Sequence, residues 1–169
     1  MPNEFSDETT NLIANFLNEI GLEVIAKQID IETFLPGILI DRGRIFVDES
    51  KLKYPGDLLH EAGHLAFASP ELRSALSGEV VFPGVSMEPI EVQAIAWSFA
   101  AALYLGIDPK IVFHDGGYRG ASQGLLFSLS CGVYFGLTGL REAGMTVFGD
   151  EAVNSGMQPY PHMIKWLCD

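Results

Sequence analysis

The stretch Asp57-Leu-Leu-His60-Glu61-Ala-Gly-His64-Leu-Ala66 decides how the chain is organised, because it joins a helical pattern to metal-binding chemistry. Residues four apart lie one above the other on one face of an α-helix, so His60 and His64 can turn their imidazoles toward one metal ion. Glu61 follows His60 directly and can reach the metal's bound water as a general base without occupying a coordination position. The pattern His-Glu-x-x-His therefore predicts a Zn²⁺ site on a helix.

The residues on either side of the motif predict where its helix begins and ends. Pro55 suits an early helical position, and Asp57 places a negative charge near the positive N-terminal end of the helix dipole. Ser69-Pro70 ends the pattern, so the helix is expected to run to about Ala68. Just upstream, residues 37–48 predict a β-hairpin, because two short arms rich in Ile and Val flank an Asp-Arg-Gly turn.

The rest of the chain is predicted to be mainly helical. Apolar periodicity and breaker residues predict helices over 7–20, 71–77, 87–105, 121–142 and 161–167, a weak strand over 22–29, and irregular segments over 78–87, 114–120 and 149–162. Small residues recur every four positions in 120–136 and again at Ala94, Ser98 and Ala102, which predicts close packing of those two helices. We therefore expect residues 1–169 to form one α+β domain in which a small antiparallel sheet packs on the motif helix.

A catalytic zinc usually has three protein ligands, so a third donor must come from outside the motif. No histidine follows His64 in the spacing of the longer zinc-peptidase pattern. Glu91 is the preferred donor, because it lies in the first turn of an otherwise apolar helix, where a carboxylate is costly unless it is paired or binds a metal. Glu88 and His114 are the alternatives, and both glutamates also suit the helix dipole.

A peptidase also needs a donor that stabilises the oxyanion of its tetrahedral intermediate. His114, Tyr118 and Arg119 have suitable chemistry and lie in one glycine-rich loop, and His162 is a weaker candidate near the end of the chain. The spacing of these residues does not place any of them over the metal. An isolated histidine in a loop is usually solvated, so none is preferred.

The composition excludes several classes of partner. Asp and Glu number 22 against 10 Lys and Arg, a net charge of −12, which argues against nucleic acid, whose backbone requires a basic face. The only cysteines are Cys131 and Cys168, too few for a disulfide framework, and the polar N-terminus lacks a signal-peptide pattern. Both observations predict a cytoplasmic protein. The uncharged stretch between Arg119 and Arg141 is long enough to span a bilayer, but its serines and glycines favour a buried helix over an integral membrane protease.

Two segments together resemble the ImmA/IrrE-type metallopeptidase family. These are His60-Glu61-Ala-Gly-His64 and Glu91-Val-Gln-Ala-Ile-Ala-Trp97-Ser-Phe-Ala-Ala, with Trp97 where that family usually has Phe, and the preceding hairpin is similar as well. The resemblance implies a zincin-like core in which His60, His64 and Glu91 bind Zn²⁺ and Glu61 is the base. A peptide or protein would then be the substrate.

The chain departs from that family in two places. The Leu-Leu-Met-Pro that often ends the family's second helix is replaced by Leu103-Tyr-Leu-Gly106, and no helix-turn-helix module is attached, so a regulatory role on DNA is not expected. The alternative function is a metal-binding module without proteolytic activity that acts through a protein partner. The intact Glu61 favours catalysis over this alternative.

Overall fold

The structure is a computed structural model that describes residues 5–169. Residues 1–4, on which part of the signal-peptide expectation rests, lie outside the described residues. The described part is α+β, as the sequence predicts. Its strands are β1 (Val24–Ala26), β2 (Ile38–Asp41) and β3 (Arg44–Val47), and its helices are α1 (Glu8–Glu19), α2 (Asp57–Phe67), α3 (Pro70–Arg73), α4 (Met87–Leu105), α5 (Ser122–Ser130), α6 (Leu137–Glu142) and α7 (Asp150–Ser155).

The hairpin of β2 and β3 is confirmed. Arg42 and Gly43 join the two strands with φ of 51° and 71°, as a two-residue turn of type I′ requires. The expectation of an antiparallel sheet is wrong in one respect, because β1 pairs with β3 in parallel. The sheet order is β1-β3-β2, so β3 lies between the other two strands and the sheet is mixed. The chain reverses in the segment 27–37, and β3 therefore runs in the same direction as β1.

Helices α2 and α4 pack against each other at the centre of the fold. Gly63 makes this possible: a Cβ placed there would lie 3.1 Å from the Cα and the carbonyl oxygen of Ala94. Ala94 and every residue after it through Ala102 are buried, so α4 is the central apolar helix that the sequence predicts. Gly106 ends α4 in the left-handed conformation, with φ of 68°.

The predicted helix over 121–142 is wrong as a single element. It is two helices, α5 and α6, and the segment between them contains Gly132 and Gly136, each with φ of 81°. These glycines take left-handed conformations that a continuous helix does not allow. The predicted close packing of the small residues of 120–136 against α4 is also only partly correct. Gly136 and Gly139 approach Val92 and Gln93 of α4, whereas Gly120, Gly124 and Gly132 have nothing within 4 Å.

Two smaller predictions are corrected as well. The short helix α3 ends at Arg73 instead of Ser77, because Ser77 pairs with Asp41 and extends the edge of β2. The tail after Pro161 is not helical, and helix α7 lies in the segment that was expected to be irregular. The tail packs through its backbone, since Cys168 N donates to Ala66 O at 2.8 Å and Trp166 O accepts from Trp97 Nε1 at 2.9 Å. Among the described helices none is both long and apolar enough to cross a membrane.

Candidate metal centre

Helix α2 places the two motif histidines one turn apart on the same face. Their Nε2 atoms are 3.1 Å apart, and the ring planes are nearly perpendicular at 86°. His64 is buried and His60 is mostly buried. The donor atoms of His60, Glu61 and His64 all lie within 4.8 Å of one another, and this group could hold a metal ion.

Glu91 reaches the same two imidazoles from α4. One carboxylate oxygen lies 3.3 Å from His60 Nε2, and the other lies 3.2 Å from His64 Nε2. Glu91 precedes Ala94 by three residues, so the close Gly63–Ala94 contact brings the first turns of α4 over the motif face of α2. Hydrogen bonds from His60 and then His64 hold the pKa of the Glu91 carboxyl well below its usual range.

These three side chains approach one another at the spacing expected of ligands to one metal ion. The two Nε2 atoms are 3.1 Å apart, and each lies 3.2–3.3 Å from a different oxygen of the Glu91 carboxylate. Two ligands that each lie about 2.0–2.1 Å from a tetrahedral Zn²⁺ are about 3.4 Å apart. Two neutral imidazoles carry at most one Nε2 proton each, so if both donate to Glu91, no hydrogen bond joins the two Nε2 atoms. A cation held by both imidazoles and the carboxylate would satisfy these groups together, so the donor set suits a metal ion.

Glu61 is held very differently, although it belongs to the same group. Its carboxylate is buried, with 8% of the residue exposed, and it forms no hydrogen bond or ion pair with the described residues. Burial raises the pKa of Glu61 above its ordinary value, while the two nearby imidazoles act in the opposite direction. A buried carboxylate without a hydrogen bond is costly, and carboxylates with a pKa perturbed in this way are candidates for functional groups.

Tyr118 lies behind His60, on the opposite side of the ring from Glu91. Its hydroxyl is 3.4 Å from His60 Nδ1, and the two rings meet edge to face with centroids 5.5 Å apart. Tyr118 and Arg119 both have positive φ, 55° and 53°, so the backbone is strained where it presents this side chain. Burial raises the pKa of the Tyr118 hydroxyl well above its ordinary value, so the hydroxyl stays protonated. His64 Nδ1, by contrast, is buried without a hydrogen-bond partner among the described residues.

His114 is not part of this group of donors. Its Nε2 lies 2.8 Å from an Asp57 carboxylate oxygen at the start of α2, and its ring stacks on Tyr54 with centroids 3.6 Å apart. Glu88, Arg119 and His162 are exposed, and their side chains form no hydrogen bond or ion pair with any described residue. Of the residues that the sequence singles out, the structure thus brings together His60, Glu61, His64 and Glu91, with Tyr118 beside them.

A cavity opens beside Glu61, and the sequence alone gave no sign of it. Its volume is about 280 Å³, and Glu61 is part of its lining. The other walls come from three separated segments: the loop 31–35, strand β2, and Gly78 with Glu79. Because these segments meet only in the folded chain, no local pattern could have predicted the cavity. A larger cavity of about 850 Å³ is lined by His114, Tyr54 and residues of α5.

No protein-family model, curated protein or solved structure matches the chain. Function must therefore be argued from the chemistry of the site itself.

Proposed function

We propose that the protein is a zinc-dependent peptidase in which His60, His64 and Glu91 hold the metal and Glu61 is the general base. The observation that carries the proposal is the approach of His60, His64 and Glu91, whose Nε2 and carboxylate oxygen atoms make contacts of 3.1–3.3 Å. The buried Glu61 carboxylate, which has no hydrogen bond to the described residues, lies next to them. The zincin-like core and the resemblance to ImmA/IrrE-type metallopeptidases belong to the same proposal.

The two carboxylates take different roles because of their contacts. Glu91 touches both Nε2 atoms and is the natural third ligand, while Glu61 lies near the imidazoles and also lines the cavity. Bound Zn²⁺ supplies a Lewis acid that polarises a carbonyl and lowers the pKa of water to about 7. Glu61 accepts the proton of the attacking water and returns it to the leaving amine. Since no hydrogen bond holds the Glu61 carboxylate, it is free to accept that proton.

The surrounding residues position this machinery. Tyr118 accepts a hydrogen bond from His60 Nδ1–H when Nε2 faces the metal, which fixes the tautomer and the orientation of the ring. The bond between Asp57 and His114 ties the loop that carries Tyr118 to the first turn of α2. The cavity beside Glu61 gives a peptide access to the base.

Metal content tests the ligand set directly. We expect purified wild-type protein to contain close to one zinc per chain by elemental analysis, and Glu91→Ala to lose most of it. Glu88→Ala is the matched control, because Glu88 lies one turn earlier on the same helix and is exposed. A Glu91→Ala protein that keeps full zinc would overturn the ligand assignment.

Hydrolysis is tested separately, with unstructured casein as a general substrate. Zinc-loaded wild-type protein should cleave casein, and a chelator such as 1,10-phenanthroline should abolish the cleavage. Zinc bound at full occupancy without cleavage of casein or of any member of a diverse peptide library would reject the peptidase proposal. That outcome would favour the metal-binding module that acts through a protein partner.

A further inference from the structure

The cavity beside Glu61 combines an apolar wall with free acidic groups, and this combination indicates which peptides it accepts. We propose that it binds a segment in which a large apolar side chain lies next to a lysine or an arginine. This inference rests on the proposed peptidase function, since it names the substrate class of the same site.

The apolar wall is formed by strand β2 and the loop before it. Leu35 and Ile38–Ile40 line the cavity, and Ile31 and Phe34 stand at its rim with 62% and 71% of their surfaces exposed. Large apolar side chains exposed together at the mouth of a cavity indicate a binding surface. At about 280 Å³ the cavity is at the lower limit of ligand sites, so it suits one or two side chains of an extended segment better than a folded surface.

Two carboxylates on different segments provide the charge. Glu32 lies in the loop and Glu79 follows the segment that pairs with β2, and both line the cavity. Both are exposed, and neither side chain forms an ion pair or a hydrogen bond with residues 5–169. Free carboxylates on two separate segments of the lining favour a cationic group beside the apolar one. The net charge of −12 adds a long-range attraction for basic segments and repels acidic ones.

Glu61 connects this surface to the proposed chemistry. It is buried, has no hydrogen-bond partner among the described residues, and lies in the wall of the cavity. A peptide bond drawn in by the neighbouring apolar and basic side chains would thus lie within reach of the base. The position of the basic residue, before or after the apolar one, is decided by the experiment below.

Binding is measured on zinc-loaded Glu61→Gln protein, so that turnover does not consume the probe. The probes are fluorescein-labelled decapeptides with one central Leu, flanked on one side or the other by Lys, by Glu or by Ala, and the readout is fluorescence anisotropy. We expect one of the two Lys peptides to bind about tenfold more tightly than its Glu counterpart, with a preference that weakens as salt is added.

Charge-reversal variants then test which carboxylates produce the preference for Lys peptides over Glu peptides. Glu79→Lys and Glu32→Lys should each reduce the Lys-over-Glu preference at least about threefold. Glu19→Lys is the matched control, because Glu19 is an exposed glutamate of α1 that does not line the cavity. For the apolar part, Phe34→Ala should weaken every Leu peptide, while Phe127→Ala, equally exposed at 71% but outside this cavity, should not.

Equal binding of the Lys and Glu peptides, or the same effect from Glu19→Lys as from Glu79→Lys, would overturn the inference. Cleavage of casein by wild-type protein distinguishes this failure from failure of the peptidase proposal. Casein cleavage without a peptide preference rejects only the substrate class. A clear preference in binding without any cleavage supports the cavity assignment and rejects the peptidase.

Discussion

The α2 side and the α4 side of the site each present one glutamate to the same pair of imidazoles, in opposite environments. Glu91, on the α4 side, is 49% exposed and contacts both Nε2 atoms, which lowers the pKa of its carboxyl. Glu61, on the α2 side, is 8% exposed and has no hydrogen-bond partner among the described residues, and burial raises the pKa of its carboxyl. In the proposed mechanism the ligand must stay ionised and the base must take up a proton, and these two environments suit those two roles.

The largest expected effect is on the rate of hydrolysis, and it comes from a substitution that changes only the glutamate of the α2 side. Glu61→Gln keeps the shape of the side chain and removes its ability to accept a proton. We expect casein hydrolysis to fall by about 10²- to 10⁴-fold, the usual contribution of a general base, while zinc content stays at the wild-type level. Rates from fluorescein-labelled casein and elemental analysis of the same preparation check both statements. Full activity in Glu61→Gln would remove Glu61 from the mechanism.

Helices α2 and α4 are in close contact at Gly63, and a larger residue at this position should move the two helices apart. A Cβ at this position already meets Ala94 at 3.1–3.2 Å, so the branched side chain of Gly63→Val must push α4 away. Overpacking of this kind costs about 1–3 kcal/mol of unfolding free energy, measured by urea titration of the metal-free protein. Zinc affinity should fall as well, because Glu91 moves with α4.

Gly124→Val is the control for that substitution. Gly124 lies within helix α5, and nothing comes within 4 Å of a Cβ placed there. Valine is a better helix former than glycine, so this variant should be at least as stable as the wild type and bind zinc equally well. If Gly63→Val and Gly124→Val behave alike, the close contact of α2 with α4 does not hold the site together.

The parts of this site that follow local rules were predictable from the sequence, and the parts that depend on distant segments were not. The i, i+4 spacing of His60 and His64 acts within one helix, and it selects two side chains that the structure brings together. Glu91 was selected because a carboxylate is costly on a buried face, and that premise is wrong, since its side chain is 49% exposed, although it does lie against both Nε2 atoms. The hairpin and α4 follow from equally local signals.

The wrong predictions concern features that depend on contacts between distant segments. Repeated glycines in 120–136 fit a packed ridge and also fit left-handed breaks, and only the folded chain separates these uses. Gly132 and Gly136 both have a φ of 81°, and of the two only Gly136 also lies against Val92. The parallel pairing of β1 with β3 depends on how the segment 27–37 crosses over, which no local pattern encodes. The cavity beside Glu61 requires the loop 31–35, β2 and Glu79 at once.

A smaller effect on zinc affinity is expected from the different Nδ1 environments of the two histidines. His60 Nδ1 has Tyr118 as a partner at 3.4 Å, whereas His64 Nδ1 has no partner among the described residues. Loss of the partner of a zinc-binding histidine reduces metal affinity by about 10- to 100-fold, and the long contact points to the lower end for Tyr118→Phe. Competition with a zinc-binding dye measures this change.

Tyr160→Phe is its matched control. The hydroxyl of Tyr160 donates to Ala96 O at 2.9 Å within the core, away from the imidazoles. Its removal should lower the unfolding free energy by about 1 kcal/mol and leave zinc affinity unchanged. A similar loss of zinc affinity in both tyrosine variants would show that Tyr118 acts only through stability.

The smallest expected effect is on the thermal stability of the metal-free protein, where substitutions of Glu61 and Glu91 should act in opposite directions. Since the folded state raises the pKa of Glu61, ionising this group opposes folding, so its contribution to stability falls as the pH rises above 4.5, the ordinary pKa of a glutamate. The lowered pKa of Glu91 has the opposite consequence: its contribution is present above 4.5 and is lost as the pH falls toward the folded-state value.

With EDTA present at pH 7, Glu61→Gln should therefore raise the midpoint of thermal unfolding and Glu91→Gln should lower it. Near pH 4 the difference between the two variants should shrink, because Glu61 is then largely protonated in the wild type. Shifts of the same sign for both variants at pH 7 would mean that the two carboxylates are not held in opposite ways.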